Sequence, residues 1–258
     1  MLLRITSRKL IQEVAALHNT HPQFIVLLGP PGAGKGTQAE RLSGALAIPT
    51  ISTGEMLRQE GRSGSLLGAQ IQTLLDAGHL VSDELIQKVV AQRLAQPDCR
   101  QGCILDGFPR TATQARFLDQ LLAKMGFGAP IVFDLAIAPE ELVARLSLRR
   151  QCPLCDRTFQ VLPGAIETCP HDGASLVPRP DDAPETIRRR LRIYADHTSE
   201  IVRFYQNRGY HRINASQPAD HVTSKVLGIL GNAPAGTNGL KRPVPASQHL
   251  SALSPVAH

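Results

Sequence analysis

The stretch Gly29-Pro30-Pro31-Gly32-Ala33-Gly34-Lys35-Gly36-Thr37 restricts what this chain can fold into more than any other. It follows the continuous apolar run Phe24–Leu28, which reads as a strand buried on both faces of a parallel sheet. It precedes Gln38–Ala47, where Ala39, Leu42 and Leu46 fall at helical spacing. Strand, glycine-rich turn and helix in that order are the setting a phosphate-binding loop needs. Backbone N–H groups and the helix N-terminus face the phosphates, glycines allow the backbone to approach, and Lys35 adds a point charge. Gly29, Pro31, Gly32, Ala33, Gly34, Lys35, Gly36 and Thr37 are therefore expected to hold a nucleotide. Because Gly36 directly follows Lys35 and the hydroxyl arrives only at Thr37, a direct side-chain ligand to Mg²⁺ is not expected here.

Further apolar runs at Cys103–Leu105 and Ile131–Ile137 are each approached through a helical segment, Asp83–Ala95 and Ala112–Lys124. Such alternation predicts crossover units on a parallel sheet. Ile193–Asn207 reads as a helix and Tyr210–Asn214 as a last short strand. Two segments break the pattern, Ser52–Val81, helical and rich in small residues, and Gln151–Asp182, dense in Pro, Gly and Cys. The expected class is an α/β, P-loop NTPase-type parallel sheet flanked by helices, with two inserts beyond the carboxyl ends of the strands. The division is 23–51, 82–149 and 183–231 for the core, with inserts at 52–81 and 150–182. Residues 1–22 read either as a short helix capped by Ser7, with Leu10, Ile11, Val14, Ala15 and Leu17 on one face, or as a mitochondrial transit peptide. Residues 232–258 lose all periodicity and read as a disordered tail.

A net charge of +6 permits nucleic-acid binding, but the chain has no Trp and only 4% aromatic residues, so stacking platforms are missing. Small phosphate-bearing molecules fit better, since arginines recur beside the motifs. Five cysteines are too few for a secreted disulfide scaffold, which points to the cytoplasm. No apolar run reaches the roughly 18 residues of a membrane span. A cytoplasmic monomer without nucleic-acid or membrane partners is expected.

Two further motifs carry a resemblance. Ser52-Thr53-Gly54-Glu55-Met56-Leu57-Arg58 and Asp106-Gly107-Phe108-Pro109-Arg110-Thr111, with Gln114 three residues on, resemble the acceptor-site motifs of adenylate kinases over about residues 23–231. The resemblance implies reversible phosphoryl transfer from ATP to AMP, giving two ADP. It places Thr53 near the adenine of AMP, Arg58 and Arg110 at its phosphate with Gly107 beside them, and Gln114 at the base. Asp106 would order water around Mg²⁺, and Thr111 with Gln114 favours AMP over pyrimidine nucleotides. Arg145 and Arg149, four apart on a predicted helix Glu140–Arg150, should project together toward the ATP phosphates. Arg179 and Arg190 match phosphate-gripping arginines of the family's lid, and Asp181 and Asp182 match its hinge acids. Pro180 stands where a lysine is common, which should stiffen the hinge.

Inside the second insert, Cys152-x-x-Cys155 and Cys169-x-x-Asp172 repeat zinc-ribbon spacing, with aspartate in the fourth position. Four protein ligands leave no open position for water, so the expected Zn²⁺ is structural. Asp172 keeps the hairpin spacing and is favoured over His171, which is one position out of register. Cys99 and Cys103 read as packed core thiols. The rival readings are a kinase of the same fold acting on another nucleoside monophosphate, and a nucleotide-dependent binding module using the ribbon as a contact surface.

Overall fold

In the computed structural model, which describes residues 23–162, 164–165 and 167–232, the first strand, β1 (Gln23–Leu28), has core on both sides. Phe24, Val26 and Leu28 face one apolar cluster, and Ile25 and Leu27 face another. This is why the run is continuously apolar and not alternating. The loop at 29–34 leads into α1 (Lys35–Leu46), then β2 (Thr50–Ser52), α2 (Thr53–Gly61), α3 (Leu66–Asp76) and α4 (Asp83–Leu94). A 3₁₀ turn at Pro97–Gln101 precedes β3 (Gly102–Asp106), α5 (Ala112–Lys124), β4 (Ile131–Ala136) and α6 (Pro139–Ser147). After the short strands β5 (Arg149–Gln151) and β6 (Thr158–Gln160) and a 3₁₀ turn at Pro180–Asp182 come α7 (Pro184–Tyr205), β7 (Tyr210–Asn214) and α8 (Ala219–Asn232).

The main sheet has the order β2-β3-β1-β4-β7, and every pairing is parallel. β1 has β3 on one side and β4 on the other, while the chain itself passes from β1 out to β2, returns through β3 and then crosses to β4, so a crevice opens beyond the carboxyl ends of these strands. One sheet face packs on α4, α5 and α7 through Val90, Leu94, Leu118, Leu122, Ile201 and Tyr205. The opposite face packs on α1 and α8 through Leu42, Val222, Val226 and Leu230. Cys99 and Cys103 are fully buried in the first cluster, as expected of packed thiols.

The structure corrects several expectations. The helix read as Glu140–Arg150 stops at Ser147, and Arg149 opens β5, so Arg145 and Arg149 do not share a helix face. The helix read from Ile193 begins at Pro184, where a proline at the first helical position suits a start. The helix at 219–232 runs through Gly231 and Asn232, into the stretch read from its loss of periodicity as a tail. Its apolar face, Val222, Val226 and Leu230, has four-residue spacing and is a legible signal. The two readings of residues 1–22, and that of a disordered tail over 233–258, lie outside the described residues.

Gly102 marks where β3 meets β1. Its φ is +106°, and a Cβ there would lie 1.9 Å from the Gln23 carbonyl oxygen, which only a backbone shift can relieve. Gly102→Ala is expected to destabilise the fold by about 3 kcal/mol or more, read as a lower urea midpoint with an unchanged slope. A midpoint equal to the parent's would show that the strand edge yields freely. No helix among the described residues is long and apolar enough to cross a membrane.

Candidate active site

A cleft of about 1040 Å³ lies over the carboxyl ends of the central strands. The loop residues Pro31 to Thr37 line it, as do Arg58, Asp106, Gly107, Arg110, Arg145, Arg149, Arg179 and Arg190. Residues 102–106 form the strand that delivers Asp106 to the mouth, in register with Leu27 on one side and Ser52 on the other. Asp106 therefore stands directly behind the loop, where a Cβ on Gly36 would be 3.7 Å from its Oδ2. This carboxylate beside the phosphate loop is a hard oxygen donor of the kind that suits Mg²⁺.

Lys35 curls back over the loop, its Nζ donating to the carbonyls of Gly29 at 2.8 Å and Pro30 at 3.0 Å. Desolvation, opposed by Asp106 and reinforced by Arg110, lowers its pKa to about 8. The unbound fold thus holds fewer protons than the unfolded chain between about pH 8 and 10.5, and its stability rises with pH through that window. A bound polyphosphate reverses the shift by supplying negative charge. ATP binding near pH 8 is accordingly expected to take up about half a proton, measurable as a dependence of calorimetric heat on buffer ionisation enthalpy. The same heat in all buffers would remove the titrating ammonium from the site.

Three arginines of the cleft, Arg149, Arg179 and Arg190, are held on Asp181 and Asp182. Arg179, only 8% exposed, makes a two-pronged contact with Asp181, Nε to Oδ1 at 2.9 Å and Nη2 to Oδ2 at 2.7 Å. Arg190 reaches the same carboxylate at 2.9 Å, and Arg149 pairs with Asp182, Nε to Oδ2 at 2.6 Å. Burial opposes the Asp181 charge, but Arg190 and Arg179 outweigh it and hold the carboxyl below its usual range. Burial, reinforced by neighbouring arginines and opposed by Asp181, lowers both Arg58 and Arg190 to about 10. Burial likewise lowers Arg110, whose Nε donates to the Gly107 carbonyl at 2.8 Å. Arg145 donates to the Ala215 carbonyl at 2.9 Å.

Not every expected residue faces open space. The Thr53 hydroxyl donates to the Gly107 carbonyl at 2.9 Å and is 1% exposed. Gln114 is 3% exposed and bonds the Arg110 backbone and Asp83. The cleft also recruits residues the sequence did not single out. Ala215 to Ala219, the turn after β7, line it, and the rule that ligands lie beyond strand carboxyl ends would have found them. Arg62, at the end of α2, grips Asp156 of the second insert through paired contacts of 2.9 and 2.7 Å, bridging the two inserts. No local pattern announces a pair so distant in the chain.

In the second insert, β5 and β6 pair antiparallel, and the ligand atoms of Cys152, Cys155, Cys169 and Asp172 lie within 4.8 Å of one another. The N–H groups of Leu154 and Cys155 both donate to the Cys152 sulfur at 3.4 Å. The Ala174 N–H donates to Asp172 at 3.0 Å and, with Cys152, holds that carboxyl down to about 2. Three soft sulfurs and one carboxylate fit tetrahedral Zn²⁺. His171 is outside this group, its ring against Arg157.

A sequence model described as adenylate kinase matches residues 27–210. An adenylate kinase of Anaeromyxobacter dehalogenans is 42% identical over 212 residues, covering 80% of this chain and 99% of the relative. One from Salinispora tropica is 44% identical over 210 residues, 80% of this chain and 97% of the relative. One from Agathobacter rectalis is 40% identical over 211 residues, 80% and 99%. With a phosphate loop, a crowded cationic cleft and likeness along nearly the whole length of these relatives, the chain belongs to the adenylate kinase family.

Proposed function

We propose that the protein catalyses reversible transfer of the γ-phosphoryl group of ATP to AMP, giving two ADP. The observation that carries this reading is the convergence of Lys35, Arg58, Arg110, Arg145, Arg149, Arg179 and Arg190 on one cleft between two inserts. Two polyanions repel each other, and a metaphosphate-like group passes between their oxygens only if that charge is neutralised. The donor phosphates lie on the Gly29–Thr37 loop with Lys35, Arg145 and Arg149. The AMP phosphate lies between Arg58 and Arg110, with Arg179 and Arg190 reaching in from the lid. Thr53 and Gly107 shape the acceptor pocket and Gln114 meets its base. Mg²⁺ entering with ATP screens the phosphate charge, and Asp106 is the residue that would hold its water shell.

No side-chain nucleophile is required, because an oxygen of the AMP phosphate attacks. Asp181 and Asp182 hold the arginines in place until phosphate displaces them. Residues 52–81 act as the AMP-binding insert and 150–182 as a zinc-binding lid, with 23–51, 82–149 and 183–231 as the core. Closing both inserts excludes water, which would otherwise take the phosphoryl group and weaken each arginine contact. Cys152, Cys155, Cys169 and Asp172 bind a structural Zn²⁺. We read the protein as a cytoplasmic monomer serving adenine nucleotide balance, without nucleic-acid or membrane partners.

ADP formation measured with ATP and each of AMP, GMP, UMP and CMP tests the reading. AMP is expected to exceed every other acceptor by about a hundredfold in kcat/KM. A different preferred acceptor would reassign the substrate, and ATP binding without acceptor-dependent turnover would remove the enzyme altogether.

A further inference from the structure

The amide of Gln114 is 3% exposed, yet the described residues do not use all its hydrogen-bonding capacity. Its Oε1 accepts from the Arg110 backbone N–H at 2.7 Å, and its Nε2 donates to Asp83 Oδ1 at 2.7 Å. A primary amide carries two N–H donors and two acceptor lone pairs. Among the described residues, one N–H donor of Nε2 and one lone pair of Oε1 are therefore left unused on a buried group. Which atom is which follows from the partners. A backbone N–H can only donate, so the atom facing Arg110 is oxygen; a carboxylate accepts, so the atom facing Asp83 is nitrogen. Asp83 is itself fixed, its Oδ2 accepting from the Thr111 hydroxyl at 3.1 Å. That hydroxyl in turn accepts from the backbone N–H of Gln114 at 3.1 Å, closing a ring between the starts of α4 and α5.

From this ring we infer that Asp83 is a positioning residue that sets acceptor selectivity, locking the Gln114 amide in the orientation that pairs with a 6-aminopurine and opposes a 6-oxopurine. The inference rests on the reading above that Gln114 meets the acceptor base. Adenine presents an amino donor beside a ring-nitrogen acceptor, which the free lone pair of Oε1 and the free N–H of Nε2 complement. A 6-oxopurine presents an oxygen where the amino group was and, along its pairing edge, an N–H where the acceptor was. Oxygen would then face oxygen and N–H face N–H. Turning the amide over to suit that base would set its N–H groups against the Arg110 N–H and its oxygen against the Asp83 carboxylate. Mismatched polar groups in a buried site carry a large penalty, so the ring excludes the wrong base from behind the amide.

The test uses the full chain, with initial rates for ATP and either AMP or IMP and thermal melts of each variant. Asp83→Ala is expected to lower kcat/KM for AMP about tenfold, mainly through KM, while changing that for IMP little, so the AMP:IMP preference falls about tenfold. Asp83→Asn keeps a carbonyl oxygen toward Gln114 and is expected to retain most of the preference. Should Asp83→Ala fail to fold, Asp83→Ser is measured in the same way. An equal loss for both acceptors would mean that Asp83 only supports the fold, and it overturns the inference, as does a collapse of preference in Asp83→Asn. Gln114→Leu separates the two levels. If it abolishes the preference while truncation at Asp83 preserves it, the inference alone fails; if it too preserves the preference, the base contact fails as well.

Discussion

Lys35→Met is expected to lower kcat about a thousandfold, at the upper end of what removal of one preorganised charge does in a closed site, while the protein stays folded. The ammonium is held by the Gly29 and Pro30 carbonyls within the loop, so it is already aimed at the phosphates before they arrive. Methionine matches the length of the stem but offers no charge as phosphoryl oxygens redistribute theirs. The effect should fall on kcat more than on the KM for ATP, because backbone N–H groups of the loop still bind the ground-state phosphates. Stability should hold or rise. Burial depresses the lysine pKa to about 8, meaning that the folded chain bears the charge at a cost below that pH, and the substitution removes it. Initial rates and a thermal melt on the same preparation check both halves. A variant within tenfold of the parent would show that Lys35 does not face the transferred group.

Removing the Zn²⁺ proposed for the second insert is expected to act first on stability and only then on turnover. The insert has very little apolar core, with Cys152, Val161, Cys169 and Leu176 as its buried members and Cys155, Phe159 and Ala174 partly buried against them. Two of those four buried residues are themselves among the expected metal ligands. Without an ion joining them, the hairpins are left with the short β5–β6 ladder and isolated bridges at Gln151–Val177 and Thr168–Ser175. Zinc binding to such a site supplies folding free energy directly. Chelation, or Cys169→Ala, should therefore remove about one equivalent of Zn²⁺ and lower Tm by roughly 10 °C, a few kcal/mol for a chain of this size. Activity at low temperature should survive better than the melting point does. Full loss of catalysis at an unchanged Tm would make the metal catalytic and would contradict its four-donor geometry.

The loop, the strand that precedes it and the acceptor motifs were legible because each is a local pattern. A buried parallel strand must be apolar at successive positions, and a phosphate loop must carry glycines and a lysine at fixed steps. The cluster in the second insert was legible for the same reason, since hairpin knuckles impose short spacings, and the structure brings Cys152, Cys155, Cys169 and Asp172 together and leaves His171 aside. The boundary at Ser147 was not legible. Helical periodicity continues through Arg149, and only pairing with β6 pulls that residue out of the helix.

What the sequence determined by itself is the chemistry available: a strand, a phosphate-loop pattern, two short motifs at 52–58 and 106–114, and two closely spaced pairs of Cys and Asp, each piece a short local pattern. What only the tertiary structure decided is which side chains are already committed to one another. Arg149 to Asp182, Arg62 to Asp156 and Asp83 to Gln114 lie 33, 94 and 31 residues apart. Hydrogen bonds act over about 3 Å in space and are indifferent to distance along the chain. Such partners become visible only after the sheet order has carried their elements to the same end of the molecule.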